Sequence, residues 1–469
     1  MRVRGEYDVV VCGAGTAGVI SAIGASRSGA RTLLVEQYGS VGGILSLGMA
    51  LLGSADAEGF KALGGIGGEL VETLKKSSGS TDITVDPLFG SVLGHDPELT
   101  KLLLLKMAEE AGVHFLLHSF VVETLMDGTT LKGILVANKG GLEVIHGKAF
   151  VDCTGDADVV ARANGEFTFG REKDSLAQPV SSIFRVGGVN LDKTWDYLDT
   201  HPEDMSTPDG WSGESYSRGF LRQTPGATIE GFRSLILKAQ EAGDYHIPRD
   251  RLGINTFPNR SEVTINITRV HGIDGTNPDH ITHAEIESQK QMFEAIGFLR
   301  KYVPGFENCH IVSTPYQVGV RESRHIKGDY VLTKEDVMEG RDFSDQIGRG
   351  AYPLDVHDVK PGDESLGRSV SGGGVTLWKI PRSYGIPARC LIPKGLNNVT
   401  VGGRAISATH EAAGSVRGQA VGMVTGHAAG VIAALASLNS TTTSGIDIAE
   451  VQTMLKGQGA ILERTVPVV

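Results

Sequence analysis

The sequence predicts an α/β fold: a parallel sheet extended by a three-stranded β-meander, with an α+β domain inserted into it. Three observations carry this. The chain opens on an apolar run, a glycine-rich turn, a small-residue helix and a second apolar run. Farther on, three short β-rich runs are split by turn residues. The composition then changes over residues 166–385, before a short strand near residue 400 leads into an apolar helix. The expected division is residues 1–165 with 386–437 as one discontinuous domain, 166–385 as a substrate-binding or cap domain, and 438–469 as a linker and helical tail. A chain of 469 residues exceeds the usual single-domain size.

The elements follow in order. Residues 7–12, YDVVVC, form the first strand. GAGTAG then sets Gly13, Gly15 and Gly18 in the pattern G-x-G-x-x-G, with Thr16 and Ala17 between the last two. Gly13 permits the tight turn, Gly15 lets backbone approach a pyrophosphate, and Gly18 lets the helix sit close to the strand. The helix start offers free N–H groups and the positive end of its dipole to an anion. RTLLVE is the second strand, ending in Glu36, followed by Gln37. An acid there accepts hydrogen bonds from both ribose hydroxyls and disfavours a 2′-phosphate, so the unit reads as a dinucleotide site that is not NADP-specific. A second glycine pair, Gly42 and Gly43, follows at once, where a plain NAD dehydrogenase would continue into another α/β unit.

Leu99–Gly112 reads as an amphipathic helix with Leu103, Leu104, Met107 and Ala108 on one side. VHFLLH is a third parallel strand. FVVETLM, LKGILVAN and LEVIHG form the meander, separated by Asp127-Gly128 and Gly140-Gly141. AFVDCTGDAD is a further strand ending in Thr154-Gly155-Asp156. Near the C-terminus, Val399–Val401 is a strand leading into Gly402-Gly403-Arg404, and a closing helix is expected from about Gly414.

CGAGTAG with Glu36, GSVGG, VDCTGDAD, GVRESRHIKGDYVLTKEDV and VGGRAISATHEAAGSVRGQAVGM run along nearly the whole chain. In these segments the chain resembles FAD-dependent oxidoreductases with a glutathione-reductase-type Rossmann domain. More narrowly, it resembles the bacterial FAD-dependent oxidoreductase group, whose substrates are mostly unassigned. The resemblance implies FAD held by Gly13, Gly15, Thr16, Ala17, Gly18, Glu36, Gln37, Gly42, Gly43, Val121, Val122, Thr154, Gly155, Asp156, Gly403, Arg404, Gly414 and Ser415. It implies that the final strand returns to the FAD domain and that a helix N-terminus points at the pyrimidine end of the flavin. Two departures matter. The cysteine clusters of related iron–sulfur flavoproteins are missing, and GGIGG at 64–68 has neither a preceding strand nor a following acid.

The inserted region supplies the candidates for chemistry. SEVTINITRV alternates Val263, Ile265 and Ile267 with Thr264, Asn266 and Thr268, giving a strand with one polar face that suits the wall of a site. A polar stretch with Trp195 and Trp211 reads as a lid or helical insertion. A long helix is expected to end before Pro304. Arg321 and Arg324 suit an anionic substrate, because a guanidinium fork pairs two oxygens; bracing of the domain interface with Glu322 is the alternative. Asp355 and His357 are proton acceptors or part of a solvated loop. His410 is either the base that takes a proton during hydride transfer or a residue that fixes the flavin loop. Glu411 joins the catalytic set or braces an arginine.

The expected activity is hydride transfer between a small organic substrate and flavin N5, in the oxidising direction, with oxygen or a carrier as acceptor. Reduction of an activated double bond by an external donor, or a role as an electron-transfer subunit, are the alternatives. The net charge of −11 and the absence of a basic run argue against nucleic acid as a partner. The apolar run after Met1 is too short for a signal peptide, so a cytoplasmic protein is expected. The apolar stretch around His427 reads as a buried helix rather than a membrane span. The four cysteines form no C-x-x-C pair and read as buried small residues, with no metal expected. A homo-oligomer is compatible with the sequence.

Overall fold

The strand Gly141–Asp152 is the pivot of the sheet. One edge pairs in parallel with Arg2–Cys12 along its whole length. On the other edge, its first half pairs antiparallel with Thr130–Asn138, and its last residues pair in parallel with Val399–Val401. The third meander strand and the following parallel strand, expected as two, are therefore one. Gly147 is the reason: a Cβ there would lie 2.9 Å from both the Phe150 ring and Val10. A residue that reads as a break in sequence is a close-packing glycine inside a strand.

Thr32–Val35 and His114–Leu116 continue the parallel sheet outward, and Phe120–Asp127 completes the antiparallel meander. Val9, Val10 and Val11 are wholly buried, as parallel strands covered on both faces require. The computed structural model describes residues 2–86, 88–205, 217–258, 260–360 and 375–468; Trp211 lies outside them.

Two helices cover the sheet beside the glycine turn, Thr16–Arg27 and Gln419–Leu438. They cross at small residues: a Cβ on Gly426 would lie 2.2 Å from the Ala17 carbonyl oxygen, and one on Gly430 2.1 Å from that of Ser21. The second helix is long and apolar enough to cross a membrane by length and composition, yet 89% of its most apolar stretch is buried inside the protein. His427 sits within it, bonded through Nε2 to Gln458 at 2.8 Å.

The insertion carries a five-stranded antiparallel sheet in the order Thr228–Gly231, Leu252–Thr256, Val263–Asn266, Phe184–Gly187, His310–Ser313. The helix Pro278–Tyr302 is capped by Asn277 with proline in its first turn, and it ends before Pro304 as expected. Trp195 is buried on the short helix Leu191–Thr200. The polar face of Val263–Asn266 is turned inward: Thr264 donates its hydroxyl to the Gly48 carbonyl at 2.6 Å. One apolar core runs through both regions. The chain ends in the helix Ile448–Gly457 and a strap in which Arg464 Nε donates to Asp56 at 2.7 Å. All four cysteines are buried and unpaired.

Candidate active site

The N-terminal turn is built by its glycines. Gly13 has φ +92°, and its N–H donates to Val35 O at 2.8 Å. A Cβ on Gly18 would lie 1.8 Å from Gly13 O, so helix and strand leave no room for a side chain. Gly15 differs: nothing lies within 4 Å of the place its Cβ would take. Gly15 also starts the helix, and no side chain caps it. Gly42 and Gly43 fold back onto this turn. Gly42 N–H donates to Ala14 O at 2.8 Å, and Thr16 Oγ1 donates to Gly42 O at 3.0 Å.

Glu36 stands at the end of its strand, buried, accepting from Ala14 N–H at 2.6 Å and Tyr38 N–H at 2.9 Å. Burial raises its pKa above the ordinary value, although the N–H groups of Tyr38, Ala14 and Gln37 act against the rise. Further donors would relieve that strain on its charge. Gln37 is exposed beside it. Ser119 N–H donates to Glu36 O at 2.8 Å, which brings the strand carrying Val121 and Val122 alongside.

Strand Gly141–Asp152 delivers the third part. Asp152, which the motif reading passed over, is buried and accepts from Thr154 N–H and Oγ1 and from the N–H groups of Val159 and Val160. It shapes the Thr154-Gly155-Asp156 loop. Arg404 lies over Gly155, where a Cβ would come within 2.8 Å of its guanidinium, and donates to Asp156 at 2.8 Å. Two motifs almost 250 residues apart are thereby joined. Arg404 Nε is buried without a partner.

The C-terminal segment departs from expectation. Instead of one helix from about Gly414 there are two, His410–Val416 and Gln419–Leu438. Thr409 caps the first; no side chain caps the second. Gly414 and Ser415 are interior to the short helix. A Cβ on Gly414 would lie 2.9 Å from Asp355 O, and the Ser415 hydroxyl is 2.7 Å from that of Tyr384. Their contacts are with protein, so the open helix start is at Gln419.

His410 opens the short helix, buried, with Nδ1 2.7 Å from Glu322 Oε1. Its Nε2 is buried without a partner. Burial acts to raise the Glu322 pKa, yet hydrogen bonds and charge from His325 and His410 prevail and hold it at about 2. Glu322 also accepts from Gln178 N–H at 3.0 Å. Glu411, expected in the catalytic set or beside an arginine, is half-buried and has no arginine partner among the described residues. The carboxylate that serves His410 comes from the inserted region.

The two arginines separate. Arg324 donates to Asp156 O and to Asp158 Oδ1, both at 3.0 Å, and stacks over Phe167. It braces the Thr154–Asp158 loop, as the alternative reading of the arginines had it for a structural role. Arg321 donates to Pro179 O at 2.7 Å, and burial followed by the charges of Arg417 and Arg269 lowers its pKa. His357 and Asp355 lie on the strand Leu354–His357, not in a solvated loop. Burial and the nearby Arg321, Arg269 and Arg417 keep His357 neutral.

The model of a family described as FAD dependent oxidoreductase matches residues 8–455. The chain belongs to that family. A search of the curated proteins returns no match. Among solved structures, the chain is similar to a geranylgeranyl bacteriochlorophyll reductase-like protein from Thermoplasma acidophilum, with 12% identity over 97% of this chain and 84% of that one and a TM-score of 0.46. It is similar to a myxobacterial chondrochloren halogenase at 11% identity, covering 96% and 78%, TM-score 0.47. It is also similar to p-nitrophenol 4-monooxygenase from Pseudomonas putida DLL-E4 at 9% identity, covering 98% and 89%, TM-score 0.47.

The protein is thus an FAD-dependent oxidoreductase, and its residues fit the cofactor. The clear side of Gly15, the uncapped helix start, the buried acid Glu36 and the unpartnered Nε of Arg404 are features a dinucleotide would use.

Proposed function

We propose that this oxidoreductase oxidises a small organic substrate, with His410 as proton acceptor, on the glutathione-reductase-like variant of the FAD fold. The single observation that supports it is the buried His410–Glu322 pair with an unpartnered Nε2. FAD, when bound, supplies a two-electron hydride acceptor. Gly13–Gly18 and Glu36 would hold its nucleotide half, and Gly403, Arg404 and the start of Gln419–Leu438 would serve its flavin half.

Glu322 is ionised at neutral pH, so it accepts and Nδ1 carries the hydrogen. In the neutral imidazole this tautomer has its lone pair at Nε2. There it takes the proton of a substrate hydroxyl or amine as hydride leaves the adjoining carbon. The imidazolium is stabilised by Glu322, and a base so placed contributes about 10²–10⁴-fold. Meander and parallel sheet sharing one strand support the glutathione-reductase-like reading.

The test begins with the visible spectrum of the purified protein before and after acid precipitation. Release of FAD into the supernatant is expected. Substrates are then sought as compounds that bleach the band without oxygen. His410→Gln should keep the band and lose kcat by about 10²-fold or more. Unchanged turnover in that variant would sink the assignment of the base.

A further inference from the structure

Beside His410 the inserted region gathers a set of buried arginines that the FAD site does not use. Arg249, Arg251 and Arg269 are all nearly inaccessible, Arg251 at 2% exposure. Arg321 and Arg417 complete the group, since the charges of Arg417, Arg269 and Arg249 all act on Arg321. Among the described residues, four carboxylates are placed against these five cations. Glu230 is 3.2 Å from Arg249, Asp250 is 3.7 Å from Arg251, Asp355 is 2.8 Å from Arg417, and Asp358 acts on Arg269. His357 is neutral and adds nothing to the balance. Asp250 is shared, since Arg233 also holds it at 3.0 Å.

The donors are also unspent. Arg251 Nε and Nη1, Arg249 Nε, Arg417 Nε and Gln178 Nε2 are buried without a hydrogen-bond partner. An unpaired guanidinium donor out of water is costly, so a cluster of them is not explained by folding. Burial and then the charges of Arg249 and Arg251 pull the Arg269 pKa down to about 9. The group wants an anion.

Its position is tied to the base by short links. Arg321 precedes Glu322 in sequence. Gln178 joins the two sides: its N–H donates to Glu322 and its Oε1 accepts from His357 N–H at 3.0 Å. His357 Nδ1 in turn lies 3.1 Å from Arg269. His410 and Arg417 sit at the two ends of one short helix, about 10 Å apart along its axis. Seven residues is nearly two full turns, so the two side chains leave the same face of the helix.

We infer that the arginine cluster of Arg249, Arg251, Arg269, Arg321 and Arg417 is the subsite for a carboxylate on the substrate, which is a small organic acid bearing an oxidisable C–OH or C–NH₂. The assignment rests on the FAD-dependent oxidation proposed above for its placement, but carboxylate binding is read without turnover.

The FAD-replete full chain is titrated with unreactive probes: succinate, malonate, neutral succinamide, inorganic phosphate, and chloride at matched ionic strength. Binding is followed by calorimetry and by the shift of the flavin band. Succinate or malonate should bind and move the band, while succinamide and chloride should not. Arg251→Lys keeps the charge and loses the fork; Arg321→Met removes a half-buried member. Each should raise the carboxylate Kd about tenfold or more. Phosphate binding in preference to both carboxylates would overturn the carboxylate assignment, as would carboxylate binding no stronger than chloride, or unchanged Kd in both variants. His410→Gln separates the two readings. Retained carboxylate binding with unchanged turnover would remove the base and leave the subsite standing.

Discussion

Gly15 and Gly18 belong to one motif and answer substitution differently. A Cβ on Gly18 collides with Gly13 O, whereas one on Gly15 meets only open space. Gly15→Ala should therefore leave the melting temperature of the FAD-free protein close to wild type and raise the Kd for FAD at least tenfold. Gly18→Ala should lower the melting temperature of the FAD-free protein itself. Calorimetry with and without FAD checks both. Glu322 gives a second test at this scale. Its folded pKa of about 2 lies below the ordinary 4.5, so its contribution is fully present above about pH 4.5 and is lost as pH falls towards 2. A shift of that size is worth about 3 kcal/mol. The stability gap between wild type and Glu322→Gln, measured by urea unfolding, should shrink through that window. Persistence of the gap at pH 2 would contradict it. Glu322 also marks a limit of sequence reading. Motif spacing singled out His410 and the glycines as candidates, but the partner of His410 lies 88 residues away on another segment, while Glu411 is merely adjacent. On a helix, neighbouring residues point to different faces, so adjacency says little about contact.

The paired helices Thr16–Arg27 and Gln419–Leu438 show what element-level patterning revealed and missed. The small residues of both were legible, and close packing is what they serve. The break between Val416 and Gln419 was not, because Gly418 is one of five glycines spaced along the stretch and the other four lie inside helices. Likewise Gly147 ended one expected strand and sits inside a longer one. Gly426→Ala should force the helices apart at Ala17, cost about 1–3 kcal/mol of stability and weaken FAD binding, since Ala17 is part of the glycine turn. The same helix buries His427, whose pKa burial lowers to about 4 despite the Gln458 bond. A histidine neutral in the fold charges more readily when unfolded. Stability is thus complete above about pH 6.5 and falls as pH drops to about 4, by about 3 kcal/mol for this group. His427→Gln should flatten that limb of the stability profile, measured by urea unfolding from pH 7 to 4. An unchanged slope would place the acid sensitivity elsewhere.

At the scale of the molecule, the proposed FAD site joins segments from opposite ends of the chain. The glycine turn and Glu36 come from the first strands, whereas Gly403, Arg404 and the start of Gln419–Leu438 come from the last. Val399–Val401 lies in the central sheet, so the C-terminal segment is part of the same core rather than an appendage. The parallel frame was legible because each strand is a continuous apolar run. The arginine cluster was not, because its members come from Arg249, Arg251, Arg269, Arg321 and Arg417, scattered over most of the inserted region and beyond. A ligand that binds only the assembled fold stabilises it by mass action, about 2.7 kcal/mol at a free concentration of 100 times Kd. Stripping FAD should lower the melting temperature, and adding it back should raise the midpoint steadily with the logarithm of its concentration. AMP, which lacks the flavin half assigned above to the C-terminal loops, should give a smaller shift than FAD at equal saturation. Equal shifts would mean that the C-terminal loops contribute no binding energy, and that the two ends of the chain are held together by packing alone.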